Sequence, residues 1–216
     1  MTYTRTLLLG LAVAGLLGCN SLTGDALQTI RLAVHGPVSP VTVERVQAAP
    51  GPVLLVGLGA AEALMVSNGK DRGLVEWYGV NEMLLTHHGR ITQTAGLSVD
   101  VTVPLVAEDP FIYGLHLVQD GLEITRTLDY PGLYRTGLRQ HARYRRGPLE
   151  QVEFMGRQHE LLRIDEILSM PELGFKATNH YWVEPESGLV RRSTQHISSV
   201  LPPLHLTLAR TAGIQP

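Results

Sequence analysis

An all-β fold is expected from three features of this chain: short runs rich in β-branched and aromatic residues, turn pairs at near-regular intervals, and no alternating βα spacing. The turn pairs are Asn68-Gly69, His88-Gly89, Asp120-Gly121, Pro131-Gly132, Gly147-Pro148 and Ser187-Gly188, with Gly79 as a further break. Glycine and proline punctuate a chain in this way where the backbone must reverse. Short strands so spaced build an antiparallel β-sandwich or a partly closed β-barrel, here with a short N-terminal helix ahead of it.

The first residues set that domain apart. A polar start carrying Arg5 leads into the apolar run from Leu7 to Leu17. About eleven apolar residues are too few for a membrane span, which needs roughly 20, so residues 1–18 read as a cleaved signal peptide. The run ends in Leu16-Leu17-Gly18-Cys19, a lipobox whose small residues admit the peptidase, and Cys19 is expected to carry the lipid. Three acyl chains at about 0.8 kcal/mol per buried methylene anchor far better than the single chain that binds marginally. Asn20, rather than an aspartate, points to onward transport to the outer membrane, facing the periplasm.

Next, Leu22, Ala26, Ile30 and Ala33 recur at helical spacing, with Ser21 or Thr23 as N-cap, so a short helix is expected over Ser21 to Val34. Prolines then favour a tether or edge strand at Val38 to Val43 and through Pro52, because proline cannot donate to a ladder. Residues 19–52 thus form the lipidated N-terminus, helix and tether, and residues 53–216 a single antiparallel β-domain. Its candidate strands are 53–58, 63–67, 73–78, 83–87, 90–95, 113–118, 122–130, 136–145, 149–155, 159–167, 175–183, 189–197 and 204–209. Asn179 to Thr194 is the clearest hairpin, with Pro185 starting its turn and Gly188 supplying the left-handed residue. Tyr181 and Val183 fall on one face of it, His180 and Trp182 on the other, and Trp182 reads as a core residue.

Removing the first 18 of 216 residues leaves 198, enough for one sizeable core. Without Arg5, 17 of the 18 basic residues face 20 acidic ones, so no basic balance argues for nucleic acid. Cys19 is the only cysteine, which rules out an internal disulfide.

Motifs that would imply chemistry fail on inspection. Val53 to Glu62 imitates a dinucleotide-binding strand and turn, but Glu62 occupies the third glycine position and the following segment is too short for the required helix. No Gly-x-Ser-x-Gly elbow or His-Glu-x-x-His pair occurs. His87 and His88 are adjacent on a strand, where side chains point to opposite faces, so neither metal nor cofactor is expected. Two carboxylates such as Glu123 and Asp129 could serve a polysaccharide-modifying enzyme only by converging in a cleft.

One pattern does suggest a ligand. Arg139, His141, Arg143 and Arg145 fall on one side of a strand, and arginine forks grip carboxylates and phosphates in pairs, so the stripe could hold an acidic polysaccharide or anionic headgroups. Glu150, Glu153, Glu160, Asp165 and Glu166 in the next two strands could instead neutralise it across the sheet.

Val46-Gln47-Ala48-Ala49-Pro50, Met83 through Ile91, Gly156-Arg157, Tyr181 through Ser193 and Pro202 through Leu208 occur in an order and spacing that resembles the GfcB/YjbF family of bacterial lipoproteins. The resemblance implies a β-rich, non-catalytic periplasmic lipoprotein encoded with an outer-membrane β-barrel export protein and acting in exopolysaccharide or capsule export or assembly, with no catalytic residues to carry over; the stripe adds acidic polysaccharide as a second expected partner. Apart from it, a half-barrel holding an acyl chain in an apolar cavity remains open as the alternative.

Overall fold

The computed structural model describes residues 41–67, 70–71 and 73–211. Among them twelve strands form one antiparallel sheet. In chain order they are β1 (Val53–Leu58), β2 (Ala61–Val66), β3 (Lys70–Asp71), β4 (Leu74–Tyr78), β5 (Met83–His87), β6 (Arg90–Ala95), β7 (Glu123–Tyr130), β8 (Arg135–Phe154), β9 (Arg157–Met170), β10 (Phe175–Val183), β11 (Val190–Gln195) and β12 (Leu204–Arg210). Spatially they run β6-β5-β4-β2-β1-β12-β11-β10-β9-β8-β7, with β3 on β4. Strands pair with chain neighbours except where β1 meets β12 and where β2 meets β4 past the two-residue β3, so hairpins build nearly the whole sheet.

The sheet curls into a half-barrel. Thr102 bridges its two edges, pairing with Gln93 of β6 on one side and Asp129 of β7 on the other. Thr102 N donates to Asp129 O at 2.9 Å and Asp129 N returns the bond at 2.8 Å, while Val103 N reaches Thr92 O at 2.8 Å. Strap residues 101–103 thereby satisfy edge groups that would otherwise template aggregation. Of the two expected architectures, the partly closed barrel is the one adopted.

Inward and outward residues alternate most clearly on β7, where Ile124, Arg126, Leu128 and Tyr130 are buried and the residues between them are not. Two apolar clusters fill the interior. One gathers Leu54, Trp77, Leu84, Ile91 and Leu206. The other joins Phe111, Leu115, Tyr144, Ile164, Tyr181 and Val183. Each fully buried side chain of this size contributes about 1.5–3 kcal/mol.

The segment expected as a strand over 113–118 is instead a plug in the barrel. Asp109 caps α2 (Pro110–Tyr113) by accepting from Phe111 N at 3.4 Å, and a 3-10 turn follows over Leu115–Leu117. Proline at the first helical position and Gly114 at φ 98 fix both ends. Phe111, Leu115 and Val118, spaced by four and three, all point inward. The run looks like a strand by composition, but its buried positions follow the helical period.

Other expectations also shift. The candidate strands split at Gly147-Pro148 are one strand, β8, with an irregularity between Arg146 and Leu149. A bulge accommodates the proline, which cannot donate to the ladder, without ending the pairing. Helix α1 (Val43–Ala48), capped by Thr42, stands where a tether or edge strand was expected; the helix expected over Ser21 to Val34 and the lipidation site Cys19 lie outside the described residues. Trp182 is half-buried on the outer face, its indole N–H donating to Glu150 Oε2 at 2.7 Å, whereas Tyr181 and Val183 are the core residues of that hairpin. His87 and His88 do not point apart: their rings stack at 4.9 Å, because His88 leaves the strand at φ 50.

No helix of the described residues is long and apolar enough to cross a membrane.

Candidate functional site

Between the two apolar clusters lies a buried charged network. Arg90 comes from β6, Arg126 from β7, Gln140 and Tyr144 from β8, Glu166 from β9, and Asn179 and Tyr181 from β10. Glu166 is its centre. Arg90 Nη1 donates to both carboxylate oxygens at 2.8 and 2.6 Å, and Arg126 Nη1 to Oε1 at 2.7 Å. The Tyr144 and Tyr181 hydroxyls donate to it at 2.9 and 3.0 Å, and Asn179 Nδ2 at 2.9 Å. Arg126 Nε also donates to Asp109 Oδ2 at 2.5 Å, tying in the plug, and another of its nitrogens donates to the Tyr144 hydroxyl. The guanidinium of Arg90 lies 5.9 Å from the centre of the Phe111 ring, within cation–π range.

The side chains of the three main ions are between 0 and 3% exposed. Burial opposes ionisation of Glu166, but Arg90 and Arg126 outweigh it and hold the carboxyl down to about 2. Burial and the Glu166 charge push the phenols of Tyr144 and Tyr181 well up, which keeps them protonated and donating. Two guanidinium groups balance two carboxylates, so the network is formally neutral. Its position explains the curl of the sheet: the edge strands β6 and β7 each send an arginine to the same glutamate across the interior.

A cavity of about 310 Å³ opens beside this network. Leu54, Val75, Trp77, Leu206 and Leu208 form its walls with Phe111 from the plug, while His88, His116, Arg191 and Arg192 stand among the polar groups around it. Trp77 donates to Thr86 Oγ1 at 2.9 Å, which fixes the indole along the wall. The His116 ring lies against Gly188, where a β-carbon would collide with it, and its Nδ1 is buried with no hydrogen-bond partner. Burial, and His87 beside it, push the His88 imidazole below its usual range.

The basic stripe is where its alternation put it. Arg139, His141, Arg143 and Arg145 share the outer face of β8, opposite the inward Leu138, Gln140, Ala142 and Tyr144. Each has a partner: Arg139 meets Glu172 at 2.8 Å, His141 meets Thr125 at 3.0 Å, Arg143 meets Glu123 at 3.8 Å and Arg145 meets Asp165 at 2.7 Å. Of the five acids expected to neutralise it, only Asp165 pairs with a stripe cation; Glu166 turns into the barrel, and Glu123 and Glu172 take the other places. Asp165 also accepts from Arg163 and His180. Burial pushes its carboxyl up, but those donors together hold it well below the usual carboxylate range. Glu123 and Asp129 do not converge: one faces Arg143, and the other accepts from Gly137 N at 2.7 Å.

Sequence reading missed the interior network, although a signal was present. Arg126 sits in phase with Ile124 and Leu128, Gln140 with Leu138 and Ala142, and Glu166 with Ile164 and Leu168. Polar residues in the apolar phase of three neighbouring strands must find one another inside, since an unpaired buried charge is prohibitive.

The family described as group 4 capsule polysaccharide lipoprotein GfcB, YjbF matches residues 27–208. The chain belongs to this family. GfcB/YjbF proteins are lipoproteins associated with capsule polysaccharide, which places this protein among membrane-anchored proteins of the cell envelope. Among solved structures it is similar to the lipoprotein YmcC of Escherichia coli K12, at 22% identity and a TM-score of 0.70, over 86% of this chain and 96% of that one. At that identity the likeness concerns the fold. An exported protein of Bacteroides fragilis described as having a YmcC-like fold matches at 11% identity and a TM-score of 0.35, over 74% of this chain and 93% of that one. No curated protein matches.

Proposed function

We propose that this GfcB/YjbF protein is a non-catalytic, periplasm-facing lipoprotein of an exopolysaccharide or capsule export or assembly system, held by Cys19 in the outer membrane. It works by docking, to export partners such as an outer-membrane β-barrel or to the passing acidic glycan. The family match over residues 27–208 carries the reading. Two features of the fold support it. The strongest ionisable cluster is sealed inside the barrel, out of reach of a polymer, and the carboxylates Glu123 and Asp129 are engaged apart from each other. The outer face of β8, by contrast, presents Arg139, His141, Arg143 and Arg145 along one strand; the surface acids Glu172 and Glu123 beside Arg139 and Arg143 are exchangeable for the carboxylates of a glycan.

Deleting the gene and measuring surface and secreted polysaccharide tests the reading, with complementation by wild type and by Cys19→Ala. Loss of exported polymer, restored only by the wild type, is the expected result. Unchanged polymer in the deletion strain overturns it.

A further inference from the structure

We infer that the cavity at the open end of the barrel binds one acyl chain of an envelope lipid. One wall is the inward face of central strands, Leu54 of β1, Val75 and Trp77 of β4, and Leu206 and Leu208 of β12, a fixed surface; the plug and the turns at Gly89 and residues 187–189 face it. Of the polar groups, His88 comes from the turn after β5, His116 from the 3-10 turn of the plug, and Arg192 from within β11. An apolar pocket with a few polar groups to one side matches a molecule with a long tail and a charged or polar head. At roughly 30 Å³ per water-sized group, the cavity of about 310 Å³ accepts on the order of ten methylenes. That is enough for one chain or the greater part of one, and too little for a whole phospholipid.

The chain's own path says which occupant is at hand. β1 begins at Val53 opposite Arg210 at the end of β12, and β11 begins at Val190 opposite the end of β10, so the cavity lies at the barrel end where the N-terminal segment enters. There Arg210 Nη1 donates to Gln47 O at 3.2 Å and to Ala49 O at 2.5 Å, fastening the segment that follows α1 beside that end. With Cys19 lipidated, as the proposed function has it, the tether joins this same end of the barrel to the membrane. Toward the opposite end, Leu58, Leu97, Leu173 and Leu201 pack against the first apolar cluster.

The wall supplies its own reporter. Trp77 lines the cavity and is 2% exposed, whereas Trp182, the second of two tryptophans, lies on the outer face. The mature chain carrying Cys19→Ser is titrated with bromine-labelled dodecanoic acid. In the Trp182→Phe background, fluorescence of Trp77 is expected to fall and to saturate at one fatty acid per protein. In the Trp77→Phe background, Trp182 keeps its emission. Native mass spectrometry of the Cys19→Ser chain with both tryptophans in place should show a one-to-one adduct with unlabelled dodecanoate, so the test does not hang on either tryptophan variant folding. No quenching and no adduct overturns the inference, as does equal quenching of both tryptophans, which is surface adsorption. If the unlipidated chain takes the probe but the lipidated protein does not, the cavity holds the protein's own anchor and the assignment to a separate lipid falls. The assay contains neither polysaccharide nor partner, so its failure leaves the export reading standing.

Discussion

Glu166 and Asp165 are consecutive on β9, face opposite sides of the sheet, and both collect arginines. Inside, Glu166 joins Arg90 and Arg126 where no water reaches. Outside, Asp165 joins Arg145 and Arg163, whose side chains are 59 and 31% exposed. Further out still, Arg143 and Glu123 sit 3.8 Å apart with side chains 64 and 72% exposed. The same chemical pair thus occurs at three depths. What differs is the cost of losing one member: an orphaned charge inside has no solvent to turn to, whereas one on the surface is rehydrated at once.

The steepest way to test the comparison is Glu166→Gln. It leaves buried Arg90 with no anionic partner and Arg126 with Asp109 alone, and the expected loss is about 3–5 kcal/mol of unfolding free energy. Chemical denaturation reads this, and hydrogen exchange at Thr102 and Asp129 should rise with it, since both edge strands lose their common anchor. A loss below about 1 kcal/mol would mean that the network does not hold the barrel edges.

Acid should act through the same residue. Its folded-state pKa, about 2, lies below the 4.5 of the unfolded chain, so the unfolded state takes up the proton first. The contribution of Glu166 is therefore complete above about pH 4.5 and disappears as pH falls toward 2. A denaturation series across that window should slope more steeply for the wild type than for Glu166→Gln, in which Asp165 still titrates.

Asp165→Asn should cost less, about 1–3 kcal/mol, because its carboxylate is buried but its arginines reach water. Arg143→Ala should leave the unfolding midpoint where it is. A clear shift there would show that the outer stripe stabilises the fold, and would weaken its reading as a surface free to meet a glycan.

Much of the sheet was legible locally. β1, β5, β6 and β10 begin and end at the residues that alternation and turn pairs indicate, because a strand with one buried face writes its period into the sequence. Gly147-Pro148 misled because a proline is compatible with both a break and a bulge, and only the partner strand β9 distinguishes them. The run 113–118 misled because β-prone residues were set in a plug by the Asp109 cap upstream of them and by Gly114 among them. The outer stripe was found and its partners largely were not, since cross-strand register depends on where each hairpin turns.

Sequence alone determined the all-β class, the antiparallel hairpin order, the outer placement of Arg139 to Arg145 and the resemblance to lipoproteins of capsule systems, because these rest on local period, turn chemistry and segment order. Tertiary structure decided the closure of the sheet through Thr102, the meeting of Arg90 and Arg126 on Glu166, and the cavity beside Trp77. Arg90 and Glu166 stand 76 residues apart. Local phase marks a charge as inward but not which partner it meets; the meeting follows from the exclusion of water, which leaves a buried charge no partner but another buried polar group.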